Sequence, residues 1–169
     1  MNKKAVNLKN MIAASMFGAL IFVVTAYMPH IPLVGGYVHF GDVFVYLAAC
    51  TLPFPYAVFS AAFGAALADS LTGYLIYAPA TFIIKALMAM MFRCGGEKYL
   101  TWKNLLTACV AGLAGSAGYY LYEVVLYRSL VSPAVNLPYN LLQAAASIFL
   151  FVVFAWPLDQ THCKRLLQK

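Results

Sequence analysis

Charge is the scarcest thing in this chain. Only 9% of its 169 residues are Asp, Glu, Lys or Arg, against roughly 25% in a soluble domain. A surface that poor in charge cannot face water all round, so lipid is expected to be the main solvent. Acids are rarest: Asp42, Asp69, Glu97, Glu123 and Asp159 stand beside eleven Lys and Arg. Catalytic signatures are missing too. There is no HExxH, GxSxG or Walker A sequence, and no His/Cys cluster at catalytic spacing, so no enzyme is expected. The four cysteines, Cys50, Cys94, Cys109 and Cys163, form no CxxC pair and read as small apolar fillers. His39 and Asp42, with His30 as a third, sit at a spacing open to a metal. The reading preferred here is a hydrogen-bonded structural pair, and no metal is expected. Repeats, low-complexity tracts and soluble domains are also absent, which leaves one membrane domain over 1–169.

A net charge of +6 raises the question of nucleic acid, and its distribution answers it. Lys3, Lys4 and Lys9 precede the first apolar run. Arg93, Lys98 and Lys103 share one connector, and Lys164, Arg165 and Lys169 close the chain. Basic residues gathered on short connectors mark the cytoplasmic side of a membrane protein. No nucleic-acid partner is expected; the partner surface is a lipid bilayer.

What is plentiful is apolar: 64% of the residues. Six apolar segments can be drawn, at about 10–28, 41–52, 56–72, 78–92, 104–127 and 138–157. Pro29, Pro32, Gly35 and Gly36, then Pro53 and Pro55, Gly73, Gly95 and Gly96, and Pro133 and Pro138 punctuate them. Met11 to Met28 is too long for the core of a signal peptide and is expected to stay as a first span. Six crossings put both termini and all three basic clusters on the cytoplasmic face; five or seven would split the clusters. The expected fold is therefore an all-α, integral-membrane bundle of six transmembrane helices. Segments two and four are short, since a dozen residues cover only about 18 Å of a roughly 30 Å hydrocarbon core. Either they extend into neighbouring loops, or the bundle is indented on its outer side around a cavity.

Within or at the ends of these spans stand Asp42, Asp69, Lys85 and Glu123, all toward the outer half. A charge at the centre of a span costs roughly 2.5–3.5 kcal/mol, so each needs a reason. Lys85 neutralises Asp69 or Asp42 in a structural salt bridge, or the group lines a polar pocket for a water-soluble ligand. Tyr37, Tyr74, Tyr77, Tyr119 and Tyr120 and the amides Asn136, Asn140 and Gln143 lie nearby in sequence, and such a mixture suits a small-molecule site. Asn140 and Gln143, three apart, share a helix face. An excess of acid favours a ligand with amines or many N–H donors, because carboxylates only accept hydrogen bonds. Asp42 is also placed to cap the start of segment two. Small residues at helical spacing, Ala14 and Gly18 in segment one and Ala61, Gly64, Ala65 and Ala68 in segment three, allow close helix approach in lipid.

The stretch VHFGDVFVYLAACTLPFPYAVFSAAFGAALADSLTGYLIYAPATFIIKALMAMM, Val38 to Met91, resembles the substrate-binding S component of energy-coupling factor (ECF) transporters. The resemblance lies in a Gly-Asp entry to helix two, an acid near the end of helix three and an APATFIIK helix four. It points to the riboflavin-type and related vitamin branch. It implies a loop, here 29–40, folded over a ligand at the outer face of a bacterial plasma membrane. By resemblance the ligand contacts are Gly36, Tyr37, His39, Tyr77, Thr81, Lys85, Glu123, Asn140 and Gln143, with Asp42 and Asp69 touching ligand or bracing loops. It further implies that Ala14-x-x-x-Gly18 docks the partner transmembrane subunit, although glycine replaces the family's second alanine. The loaded subunit would join that protein and two ATPase subunits. ATP would be used there, and no cofactor bound directly by this chain. Within the branch the chain is similar to members associated with salvage of queuosine precursors, which implies a queuine-type deazaguanine; riboflavin or another vitamin is the substitute. The competing function is an autonomous ion-coupled secondary transporter or facilitator, whose inverted repeats of broken helices are not visible here.

Overall fold

A computed structural model describes residues 3–28, 31–33, 36–93, 95–161 and 164, the side chains of 3–7, 31–33, 36 and 37 excepted. Proline and threonine set where its helices begin. Pro55, Pro79 and Pro138 stand in the first turns of α3 (Phe54–Leu71), α4 (Ala78–Met90) and α6 (Leu137–Gln160). There a missing N–H is harmless, because the first turn has no partner for it. Thr101 begins α5 (Trp102–Tyr127), its hydroxyl accepting the Asn104 N–H at 3.2 Å. With α1 (Lys3–Tyr27) and α2 (Asp42–Thr51), six α-helices are present among the described residues, each within a few residues of an apolar segment, except that α1 starts earlier. A 3-10 turn, Ser132–Val135, leads into α6.

The all-helical class holds, with one addition and one correction. The segment between α1 and α2 carries an antiparallel pair, β1 (Ile31–Leu33) and β2 (Gly36–Val38), with Ile31 opposite Val38 and Leu33 opposite Gly36. Asp42 does not cap α2: Gly41 holds the cap position with no side-chain bond, because the Asp42 carboxylate is engaged elsewhere.

Partners across the bundle show that successive helices alternate in direction. Glu123, late in α5, meets Tyr77 just before α4 and Asn136 just before α6. At the other end Thr51, closing α2, meets Tyr99 just before α5, and Asp159, near the end of α6, reaches the same connector. The two ends are called here the hairpin end and the opposite end. Four stretches, Leu8–Tyr27, Phe54–Leu71, Trp102–Tyr127 and Ser132–Gln160, are long and apolar enough to cross a membrane. α2 and α4 are shorter, about 15 and 20 Å.

The distribution of side chains is inverted relative to a soluble protein. Met16, Phe63, Leu113, Val125 and Phe149 face outward, while Asp42, Asp69, Thr81, Lys85, Glu123, Gln143 and Ser147 are buried. Alanine and glycine on α3 let α1 and α4 close on it. A Cβ at Gly64 would lie 2.6 Å from the Gly18 carbonyl oxygen, so the α1–α3 approach requires glycine there. Short α2 is enclosed by its neighbours, with every residue but Phe44 buried. A helix end inside a membrane is tolerable when surrounding protein shields it from lipid. Because α2 begins below the hairpin, a recess opens under that end.

Candidate functional site

The recess is built from four helices. Asp42 is the first residue of α2, Lys85 is midway along α4, and Gln143 is two turns into α6. Lys85 Nζ lies 2.5 Å from Asp42 Oδ1, with both side chains almost wholly buried. Gln143 Nε2 donates to Asp42 Oδ2 at 3.1 Å, and Gln143 Oε1 accepts the His39 backbone N–H at 3.0 Å. One amide thus joins the buried ion pair to the residue that follows β2. His39 folds back, its Nδ1 accepting the Gly41 N–H at 3.0 Å, and so turns the chain from hairpin into helix.

From Lys85 the polar chain continues sideways. Its ammonium sits 5.4 Å from the centroid of the Tyr119 ring, a cation–π contact. The Tyr119 hydroxyl meets Thr81 Oγ1 at 3.0 Å, and Thr81 donates to Asp69 Oδ2. A second group lies nearer the end of the bundle. Glu123 accepts from Asn136 Nδ2 at 3.1 Å and from the Tyr77 hydroxyl at 3.5 Å, and Tyr77 meets the Tyr127 hydroxyl at 2.8 Å. Burial raises the Tyr77 phenol well above its ordinary range, so it stays protonated at neutral pH.

Between α2, α4, α5 and α6 a narrow cavity touches Asp42, Lys85, Met88, Gly112, Gly115, Ser116, Tyr119, Asn140, Gln143 and Ala144. Its open interior is about 10 Å³, room for about one water. Glycine on α5 keeps even this open: a Cβ on Gly112 would come within 2.9 Å of the Ala144 Cβ.

The expected residues are thus distributed in three ways. Asp42, Lys85, Asn140 and Gln143 share the cavity, and Thr81, Asp69 and the His39 main chain adjoin it. Tyr77 and Glu123 form a separate cluster toward the hairpin end. Gly36 lies in β2, and the Tyr37 side chain falls outside the described residues, as do His30, Cys94 and Cys163. The choice left open for Lys85 resolves to Asp42. The acids are also less available than an excess of carboxylates suggests, because each already accepts from a lysine, a hydroxyl or an amide. Among the described residues no group of three His, Cys, Asp or Glu gathers to hold a metal. Sequence reading counted Tyr119 among the nearby aromatics without naming it as a contact, and left Ser116 and Gly112 out of the site. Their signal was present: 112, 116, 119 and 123 fall on one face of α5.

Ala14 and Gly18 lie along a different feature, a surface groove between α1 and α3 of about 440 Å³, floored by Ser60 and Gly64 and walled by Phe22, Phe59, Phe63 and Leu67.

Apolar side chains turned outward and a polar cluster buried under a hairpin are the pattern of a membrane-embedded bundle. A family model described as "ECF-type riboflavin transporter, S component" matches residues 5–160, and the chain belongs to that family. It is a family of membrane-embedded transporter components, not of enzymes, whose members associate with ECF membrane and ATPase subunits and a small-molecule substrate. Neither curated proteins nor solved structures yield a match.

Proposed function

We propose that this chain captures a water-soluble, vitamin-like heterocycle at the outer face of the plasma membrane for an ECF importer. In this reading all six helices cross and both termini are cytoplasmic. The hairpin end then faces outward, and Lys3, Lys4, Lys9, Arg93, Lys98, Lys103 and Lys164 lie inside, as the positive-inside rule asks. The observation that carries the proposal is the Asp42–Lys85–Gln143 cluster. A buried ion pair is a poor source of stability, and intramembrane ionisable groups are by default functional.

A ligand site normally encloses about 300–1,000 Å³, far more than this cavity, so binding requires the hairpin to lift. Gln143 is where that motion registers. A ligand edge carrying adjacent N–H and C=O groups replaces its amide on Asp42 and on His39 N–H, while Tyr119 supplies an aromatic wall. Asp42 Oδ2, freed when Gln143 turns away, accepts an N–H bond, which favours a donor-rich base such as queuine over riboflavin, whose ring system is mainly an acceptor. Riboflavin is the second reading, supported by the family description. The α1–α3 groove at Ala14 and Gly18 docks the membrane subunit. ATP is hydrolysed by the two ATPase partners, and this chain binds no cofactor.

Purified protein in nanodiscs is titrated with queuine and with riboflavin, and uptake is measured in cells with and without the ATPase module. Binding without ATP, with uptake only when the module is present, is the expected result. Gradient-dependent uptake by the chain alone would instead establish an autonomous carrier.

A further inference from the structure

Two hydroxyls below the cavity have no hydrogen-bond partner among the described residues: Tyr46 OH and Ser147 Oγ, each on a residue with no exposed surface. A third, Thr25 Oγ1, lies against Gly41 at the hairpin hinge and is set apart. Tyr46 is one helical turn beyond Asp42, and Ser147 one turn beyond Gln143, so the pair repeats the Asp42–Gln143 level one turn deeper. The Tyr46 ring packs against Phe92 and against Phe151, the next residue along the Gln143–Ser147 face. Its hydroxyl reaches the cavity wall, 3.3 Å from where a Gly112 Cβ would be.

Neither orphan is what local chemistry would leave. Serine and threonine in a helix ordinarily return a hydrogen bond to the carbonyl four residues earlier. Thr51, Ser70, Thr107 and Ser116 all do so in this protein; Ser147 does not. Phenylalanine would fill the Tyr46 ring site without stranding an oxygen, whose unmet burial costs about 1–3 kcal/mol.

We infer that Tyr46 and Ser147 form the floor of the ligand site and hydrogen-bond a neutral polar group, a carbonyl or hydroxyl, at the deepest end of the bound heterocycle. This rests on the binding role proposed above and adds to it a contact from α2. The group is neutral because the nearest charges, Asp42 and Lys85, already satisfy each other, and an unpaired ion there would be costly. Gly112 is the residue that leaves room for it.

The test has two arms. In the first, Tyr46→Phe and Ser147→Ala each remove one oxygen, and affinity is measured with whichever of queuine and riboflavin binds the unaltered chain. About tenfold weaker binding in each, with the ligand-free melting temperature unchanged or higher, is expected; unchanged affinity in both overturns the floor. The second arm needs no ligand. In a chain whose native cysteines are replaced by alanine, Ser147→Cys is exposed to a charged methanethiosulfonate outside sealed right-side-out vesicles, with Ala155→Cys, two turns deeper on the same face, as the comparison. Labelling at 147 and not at 155 supports the floor, and equal silence at both overturns it. Should neither probe bind the unaltered chain, the substrate reading falls while the labelling still decides the floor.

Discussion

Lys85 and Lys164 are each 1% exposed, and each ammonium lies over a tyrosine ring, at 5.4 Å from Tyr119 and 5.2 Å from Tyr99. Their partners differ. Lys164 donates to the backbone carbonyls of Gly95 and Lys98 at 3.1 and 3.2 Å, while Asp159 close by accepts the backbone N–H groups of Tyr99 and Leu100. Lys85 is held by a carboxylate that a second side chain, Gln143, also engages. Main-chain partners cannot turn away, so the opposite end is a tie between α6 and the α4–α5 connector. Side-chain partners rotate, so the hairpin end is able to exchange its bonds for those of a ligand. Equal burial of the same residue type therefore serves fastening in one place and, on the proposed function, recognition in the other.

The largest effect expected separates the two lysines directly. Asp42→Ala strands a buried ammonium and should destabilise the protein by about 3–5 kcal/mol. Lys164→Met loses bonds to neutral carbonyls and should cost about 1–3 kcal/mol. Replacing the whole pair, Asp42→Asn with Lys85→Met, should recover much of the loss in thermal unfolding yet still bind neither queuine nor riboflavin. Lys164→Met should bind normally. If the paired replacement kept binding and Lys164→Met lost it, the assignment of the two ends would be reversed.

A smaller effect is expected at Gln143, which has two partners and no charge. Gln143→Ala removes the bridge between Asp42 and the His39 N–H. Stability should fall by about 1 kcal/mol, while ligand affinity should hold or rise, because a ligand edge no longer has to displace the amide from Asp42 and the His39 N–H. The hairpin, released from α6, should also become more accessible to protease. A binding loss without greater cleavage would make Gln143 a ligand contact and not a lid latch.

Much of this architecture was legible because punctuation is chemical. Pro55 and Pro138 fell in the first turns of α3 and α6, Gly73 fell between α3 and α4, and the apolar runs between breakers became α2 to α6 with small boundary shifts. The hairpin was not legible. Pro32, Gly35 and Gly36 read as breakers, and three-residue strands are too short to show an alternating pattern. The choice of Asp42 over Asp69 for Lys85 depends on how deep a short, enclosed helix begins, which no single segment encodes. Tyr46 was hidden for another reason: within VFVYLAAC it looks like any core aromatic, and only the geometry shows that its hydroxyl is stranded.

The mildest test lies at Glu123, in the tyrosine-rich cluster above the cavity. Glu123→Gln keeps shape and one carbonyl oxygen, so Asn136 retains an acceptor and the Tyr77–Tyr127 contact is untouched. The long 3.5 Å bond from Tyr77 contributes little. Stability should therefore change by less than about 1 kcal/mol. Affinity is a different matter if a ligand N–H reaches this carboxylate, because a charge-assisted bond is roughly twice as strong as a neutral one; a three- to tenfold loss is then expected by titration. Paired with Asn140→Ala inside the cavity, the substitution shows how far up the bundle the ligand extends. Loss in Asn140→Ala alone would confine it to the recess around Lys85, whereas loss in both would place the Glu123 cluster in contact with its outer edge.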